Sequence, residues 1–191
     1  AQEQQKGVFF EHRKEGKDCL VVVTSDKGLC GSFNSAVLRI VYQWYLLHPG
    51  ADVVAVGRKG RDFFKRRAIT PVAEFLQFSD VVILSDVAPL SEWIIRAFEQ
   101  GTYKQVIIAA TQFFSALLQK PAVHQILPLH MQELEDVVEN ITPKTGKYSD
   151  VAPQSSQEGA TVPMPYVLEP TPEAILETLT RTLIQVEIMH F

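Results

Sequence analysis

An α/β fold is the class this chain predicts, and three features of the sequence predict it. Short apolar runs without alternation, such as Asp18 to Ser25 and Asp52 to Gly57, read as strands covered on both faces. Segments with apolar residues at helical spacing lie between them, so strand and helix follow one another repeatedly over residues 18–100. A pair of extended runs, one from Val106 and one from Val123, then follows with no helix-length gap, which predicts an antiparallel hairpin. The expected architecture is a Rossmann-like three-layer domain, its mostly parallel sheet closed on one edge by that hairpin and followed by a truncated C-terminal helix.

Each element has its own signal. Asp18-Cys-Leu-Val-Val-Val-Thr-Ser25 is a strand rich in β-branched residues. From Asn34 to His48, residues Ala36, Val37, Ile40, Val41, Trp44, Tyr45 and Leu47 recur at helical spacing, and Pro49-Gly50 ends the helix. Residues 52–57 form a second buried strand and Lys59 to Arg67 a short basic helix. Residues 72–78 read as a third strand, and Pro89 to Gln100 as the next helix. Val106 to Thr111 is a strand, whereas Gln112 to Gln119 suits strand or helix. Lys120-Pro121 gives a turn signal before the extended run Val123 to Leu127.

Residues 130–165 lose apolar density, and six of the eleven prolines lie between Pro143 and Pro172, a composition that predicts a mobile excursion. Tyr166-Val167-Leu168-Glu169 reads as a short strand. A helix then starts near Thr171, with Pro172 in its first turn, Glu173 suited to the positive end of the dipole, and a stripe of Ile175, Leu176, Leu179, Leu183, Val186 and Met189. The chain therefore divides into a polar N-terminal remnant (1–17), an α/β domain (18–129), a Pro/Gly/Ser-rich loop (130–165) and a short strand with the start of a helix (166–191).

With 191 residues, 46% of them hydrophobic, the chain can bury a core and is not disordered throughout. Two cysteines cannot form a disulfide scaffold, which points to a reducing compartment. A net charge of -4 gives no global attraction to nucleic acid. No apolar run reaches the ~20 residues of a bilayer span, and the Gln-rich start shows no secretory leader.

Four stretches are candidates for chemistry. The turn from Thr24 to Asn34 has glycines between a strand and a helix, a place where backbone N–H groups can cradle phosphate. Gly28 and Gly31 nevertheless match neither the Walker spacing nor the dinucleotide fingerprint. Gly28-x-Cys30-x-Ser32 is close to a nucleophile elbow, but His12, His48, His124, His130 and His190 offer no evident base, and Cys30 also suits packing as a small hydrophobe. Arg58, Lys59, Arg61, Lys65, Arg66 and Arg67 put a third of the 18 basic residues on ten positions, either a nucleic-acid or lipid face or a solvated one that meets an acidic partner. Glu133 to Glu139 is acidic but lacks EF-hand spacing, and no His/Cys group has zinc spacing.

The run Val23-Thr24-Ser25-Asp26-Lys27-Gly28-Leu29-Cys30-Gly31-Ser32-Phe33-Asn34 resembles the signature at the head of the central domain of the gamma subunit of F-type (rotary) ATP synthases. Val56-Gly57-Arg58-Lys59-Gly60-Arg61-Asp62-Phe63-Phe64 resembles that family's second strand and basic helix. Thr111-Gln112-Phe113 with Gln119-Lys120-Pro121, Gln125 to Leu129, and Tyr166 to Pro170 follow in the family's order. The departures are Lys27 where arginine is common and Ser32 where a second glycine is common.

The resemblance implies a central-stalk subunit without catalytic residues or cofactors, in which Ser25, Asp26, Gly28, Leu29, Cys30, Gly31, Phe33 and Asn34 are structural. Its implied partners are the epsilon subunit, the alpha–beta catalytic hexamer and the membrane c-subunit ring, with no nucleic acid and no direct bilayer insertion. Arg58, Lys59, Arg61, Lys65, Arg66, Arg67 and Tyr166 would offer partner surfaces, and the location would be peripheral, on the cytoplasmic face of the bacterial plasma membrane or the equivalent organelle face. The expected product is a central-domain fragment without most of the family's long terminal helices. Two other readings stay open: a small α/β cysteine hydrolase using Cys30, and a nucleotide-sensing α/β module.

Overall fold

A computed structural model describes residues 7–28, 32–78, 83–115, 118–129 and 172–189. The sheet contains β1 (Lys17–Val23), β2 (Asp52–Val56), β3 (Ala73–Phe75), β4 (Tyr103–Ser115) and β5 (Leu118–Leu127), in the order β3-β2-β1-β4-β5. The β1–β2, β1–β4 and β2–β3 pairings are parallel, and β4–β5 is antiparallel. The helices are α1 (Phe33–Leu47), α2 (Arg58–Lys65), α3 (Leu84–Glu99) and α4 (Pro172–Met189). This is the predicted mostly parallel sheet with an antiparallel edge. Of the stretch open to two readings, Gln112 to Ser115 extends β4, and Leu118 and Gln119 open β5. Lys120-Pro121, expected as a turn, instead lies within β5 opposite Gln112 and Thr111.

Period-two side-chain alternation divides the strands between two apolar layers. Leu20, Val22, Val53, Ile107 and Ala109 pack with Val37, Leu38 and Val41 of α1 and Phe64 of α2. Cys19, Val21, Val54, Val56, Val106 and Ile108 pack on the other side with Leu90, Ile94, Ile95 and Phe98 of α3 and Ile184 and Ile188 of α4. Both faces are covered, so these strands need apolar residues at consecutive positions.

Several boundaries move for identifiable reasons. The sequence places the start of α3 at Pro89, yet the helix begins at Leu84, with Asp86 Oδ2 accepting from the Ile83 N–H at 3.1 Å. Pro89 lies on the exposed side, where the Ser85 carbonyl that loses its helical donor can meet water. The third strand was expected to reach residue 78 but stops at Phe75, because Gln77 turns with a φ of 68° and the next amides bond elsewhere. The 1–17 segment, polar by composition, supplies Phe9 and Phe10 to the core. There Phe9 stacks on Phe98 and its carbonyl accepts from the Leu129 N–H at 2.8 Å.

The expected stripe of α4 also needs correcting. Among the described side chains Thr180, Ile184 and Ile188 form the buried row, with the expected Leu183 beside it, whereas Leu179, Val186 and Met189 are exposed; the side chains of Ile175 and Leu176 lie outside those described. The sequence contains two overlapping apolar rows, and the one with strict four-residue spacing faces α3. Arg181 clamps the contact by pairing with Glu99 at 2.5 Å. The loop expected at 130–165 and the strand expected at 166–169, including Tyr166, lie outside the described residues, as do Leu29, Cys30 and Gly31.

Candidate functional site

In a sheet of this order, the strand direction of connection reverses between β1 and β4, and the crevice at their carboxyl ends is where such folds bind ligands. Here β1 pairs with β4 only as far as Val22 and Ala109, yet β4 runs on to Ser115 and is paired by β5. The hairpin thus stands beside the start of α1, where a ligand-binding fold would have loops. Thr111 Oγ1 donates to the Phe33 carbonyl at 3.3 Å, joining the strand to the first turn of that helix.

The turn after β1 is fastened by its own side chains. Thr24 is buried; its hydroxyl donates to the Val56 carbonyl at 2.9 Å and accepts from the Gly60 N–H at 2.8 Å. The Ser25 N–H donates to Asn34 Oδ1 at 3.0 Å, Asn34 Nδ2 donates to Ser25 Oγ at 2.8 Å, and Ser25 Oγ donates to the Lys27 carbonyl at 2.6 Å. Asn34 is therefore a strap from the first turn of α1 back to the end of β1. Asp26 reaches the other way. Its Oδ1 accepts from the Arg58 N–H at 3.0 Å, and its Oδ2 from the Gln77 and Phe78 N–H groups at 2.8 and 3.2 Å.

Two glycines allow this fit. Gly57 has a φ of 85°, and a Cβ there would lie 2.0 Å from the Thr24 carbonyl oxygen. A Cβ on Gly60 would lie 3.1 Å from Thr24 Oγ1. The signature's Ser25, Asp26 and Asn34, with Gly57 and Gly60, thus make one interlocked polar unit. Gly28 and Phe33 flank it in the chain, and the Phe33 carbonyl bonds to Thr111 on β4. The sequence alone carries no sign that Thr24 and Asp26 tie this turn to the second strand and helix, because their partners Val56 and Arg58 lie more than thirty residues away.

The basic helix is mostly engaged locally. Arg58 lies 3.7 Å from Asp26, Arg61 pairs with Asp62 at 2.7 Å, and Lys65 pairs with Glu74 at 2.6 Å. The Arg67 guanidinium sits over the Phe63 ring at 3.6 Å and the Tyr42 ring at 4.9 Å. Arg61, with Arg66 and Lys59 adding to it, holds the exposed Asp62 carboxyl below its usual range. Phe64 is fully buried, and Phe63 is half-buried with the Arg67 guanidinium over its ring. Lys59 and Arg66 are exposed and make no ion pair among the described residues.

No three metal-ligating side chains cluster among the described residues. His48 lies just past the end of α1, its Nδ1 2.8 Å from the Trp44 carbonyl, and His124 lies on β5 opposite Ile108. Cys19 is fully buried; burial, with Asp52 adding to it, pushes its thiol up to about 12. Tyr103 is raised well above the ordinary phenol range, chiefly by burial and then by Cys19 and Asp52, whose Oδ2 accepts from the Tyr103 hydroxyl at 3.2 Å. These groups sit at the opposite end of the strands from the turn. Two open grooves, of about 570 and 380 Å³, run along Trp93, Arg96 and Tyr103 and along Gln77, Phe78 and Asp86.

A mostly parallel sheet in the order β3-β2-β1-β4-β5, covered by helices on both faces and closed by an antiparallel hairpin beside its switch point, places the chain among Rossmann-like α/β domains. A family model described as ATP synthase matches residues 1–191, and the chain belongs to the ATP synthase gamma-chain family. It is 32% identical over 169 residues to the ATP synthase gamma chain of Heliobacterium modesticaldum, covering 88% of this chain and 52% of that relative. It is 34% identical over 134 residues to that of Chloroflexus aurantiacus, covering 68% and 46%. The chain thus spans about half the length of the curated relatives it matches. The fold is similar to a chain in the central stalk and c-ring structure of the Tetrahymena thermophila mitochondrial ATP synthase, with a TM-score of 0.62 and 21% identity over 91% of this chain and 67% of that one. A rotor chain of the Euglena gracilis enzyme gives a TM-score of 0.57 and 16% identity over 98% and 68%.

Proposed function

We propose that this chain is the α/β base of a gamma (central stalk, rotor) subunit, coupling ion-driven rotation of the membrane c-subunit ring of a proton-translocating F-type ATP synthase to ATP synthesis in the alpha–beta hexamer. The observation that supports it is the fastened switch point: family membership comes with a turn built to hold elements together rather than to hold a ligand. Transmitting twist requires stiffness, and a sheet packed on both faces is dense and poorly compressible. A helix seated on that sheet's outer layer, as α4 is, turns with it.

On this reading the chain has no catalytic residues and no cofactor, and bond chemistry takes place in the hexamer. The epsilon subunit and the c-ring meet it at residues 130–165 with Tyr166, in preference to the basic stretch Arg58 to Arg67. It is peripheral, on the cytoplasmic face of the bacterial plasma membrane or the equivalent organelle face. Among the described residues no helix is long and apolar enough to cross a membrane.

The test is to graft residues 18–183 into a full-length gamma chain of a relative, assemble the complex and measure ATP-driven proton pumping. Retained pumping and capture of the cognate epsilon subunit are expected; an assembled complex that hydrolyses ATP without pumping would sink the reading. Saturating ATP or a dinucleotide should leave the melting temperature of the isolated chain unchanged. Stabilisation of a few kcal/mol would favour a nucleotide-sensing module instead.

A further inference from the structure

We infer that Asp26 serves as an internal anion: its carboxylate takes the place at the start of α2 where an α/β protein would hold a ligand's oxyanion, and so locks three loops together. The first N–H groups of a helix have no intrahelical acceptor and favour negative charge. In α2 each is met from β1's exit: Arg58 N–H by Asp26 Oδ1 at 3.0 Å, Lys59 N–H by the Ser25 carbonyl at 3.2 Å and Gly60 N–H by Thr24 Oγ1 at 2.8 Å. The second oxygen of Asp26 takes the Gln77 and Phe78 N–H groups at 2.8 and 3.2 Å, and the Arg58 guanidinium lies 3.7 Å from the first. With its side chain only 17% exposed, this carboxylate is the shared acceptor for amides from two loops far apart in sequence. A neutral side chain cannot replace it, since an amide offers one acceptor oxygen where two are used.

The niche is therefore defined by the oxyanion head, and Asp26→Ala should leave a space that a free formate ion fits. The experiment follows hydrogen exchange of the Arg58, Gln77 and Phe78 amides in the whole chain. Charge-assisted bonds of this kind predict that exchange in D26A rises about tenfold or more. Sodium formate at roughly 100 mM should reverse much of that rise, while sodium chloride of equal ionic strength should not. D26N should lose protection on one side of the carboxylate and gain nothing from formate, because the amide already fills the space. Thr24→Val loses neighbouring bonds without opening an anion niche and serves as the control.

Formate protection no greater in D26A than in T24V, or wild-type exchange rates in D26A, would overturn the assignment. If D26A does not fold in chloride, the same question is put by refolding it in formate. Recovery there supports the internal anion, and equal failure in both salts refutes it. Asp26 would act in this way in any assembly, so failure here leaves the rotor reading untouched.

Discussion

Replacing Gly57 by alanine is the sharpest test of the interlocked turn, because a second glycine supplies its control. Gly57 and Gly50 both have positive φ, 85° and 92°, so alanine is strained at both by roughly 1–2 kcal/mol, and at Gly57, whose ψ is 150°, by at least that much. At Gly50 nothing lies within 4 Å of the added Cβ, whereas at Gly57 it falls 2.0 Å from the Thr24 carbonyl oxygen. Relieving that overlap means separating the β1 exit from the start of α2 by about 1 Å, since Cβ contacts below about 3.0 Å are essentially never seen. Three bonds cross that gap: Thr24 N–H to the Val56 carbonyl at 2.9 Å, the Thr24 hydroxyl to the same carbonyl, and Gly60 N–H to the Thr24 hydroxyl. At about 1 kcal/mol net each, their loss adds about 3 kcal/mol to the strain. G57A should therefore be about 4–5 kcal/mol less stable than wild type and G50A about 1–2. That difference corresponds to roughly 6–12 °C in Tm for a chain of this size. Urea unfolding followed by circular dichroism measures both. A G57A protein within about 1 kcal/mol of G50A would mean that the turn is not pinned as described.

Phe64→Ala should cost about 3–5 kcal/mol by opening a cavity under α2, while Arg67→Ala should cost about 1 kcal/mol or less, both read from urea midpoints. Ile184→Ala should cost about 2–5 kcal/mol and raise hydrogen exchange in α4 and α3 together, whereas exposed Val186→Ala should change stability by under about 0.5 kcal/mol; equal effects would reverse the assigned faces. The folded Cys19 thiol ionises only at about 12 against an ordinary 9.0, so between those values the folded state holds a proton that the unfolded chain has lost. Its contribution to stability is present below pH 9 and falls by up to about 1.4 kcal/mol per pH unit as pH rises through the window. Comparing the slope with that of Cys19→Ala isolates it, and identical slopes would refute it.

The sheet was legible because a strand covered on both faces leaves no room for polar alternation, and Leu20 to Val22 carry that constraint openly. Phe63 and Phe64 could be assigned inward since a short basic helix has nothing else to bury. The hairpin followed from spacing alone. The start of α3 was missed because Pro89 is a strong helix-start signal, overridden here by Asp86 holding the Ile83 N–H. The buried row of α4 was missed because choosing between its two apolar rows depends on α3, which is remote in sequence. At the turn, resemblance marked Ser25, Asp26 and Asn34 as structural, but the bonds of Asp26 to Arg58, Gln77 and Phe78 span more than thirty residues and no local pattern encodes them.

The seating of α4 on α3 also determines which displacements the domain can resist. Among the described side chains its contact is a narrow ridge of Thr180, Ile184 and Ile188 with Leu183 alongside, in the apolar layer that also holds Ile94 and Phe98. Sliding the helix endways to the next equivalent fit means moving about 6 Å and vacating every notch at once. Rolling it about its own axis disturbs one narrow row, with Arg181 and Glu99 as the side stop. The seat is thus stiff against thrust and more compliant in roll.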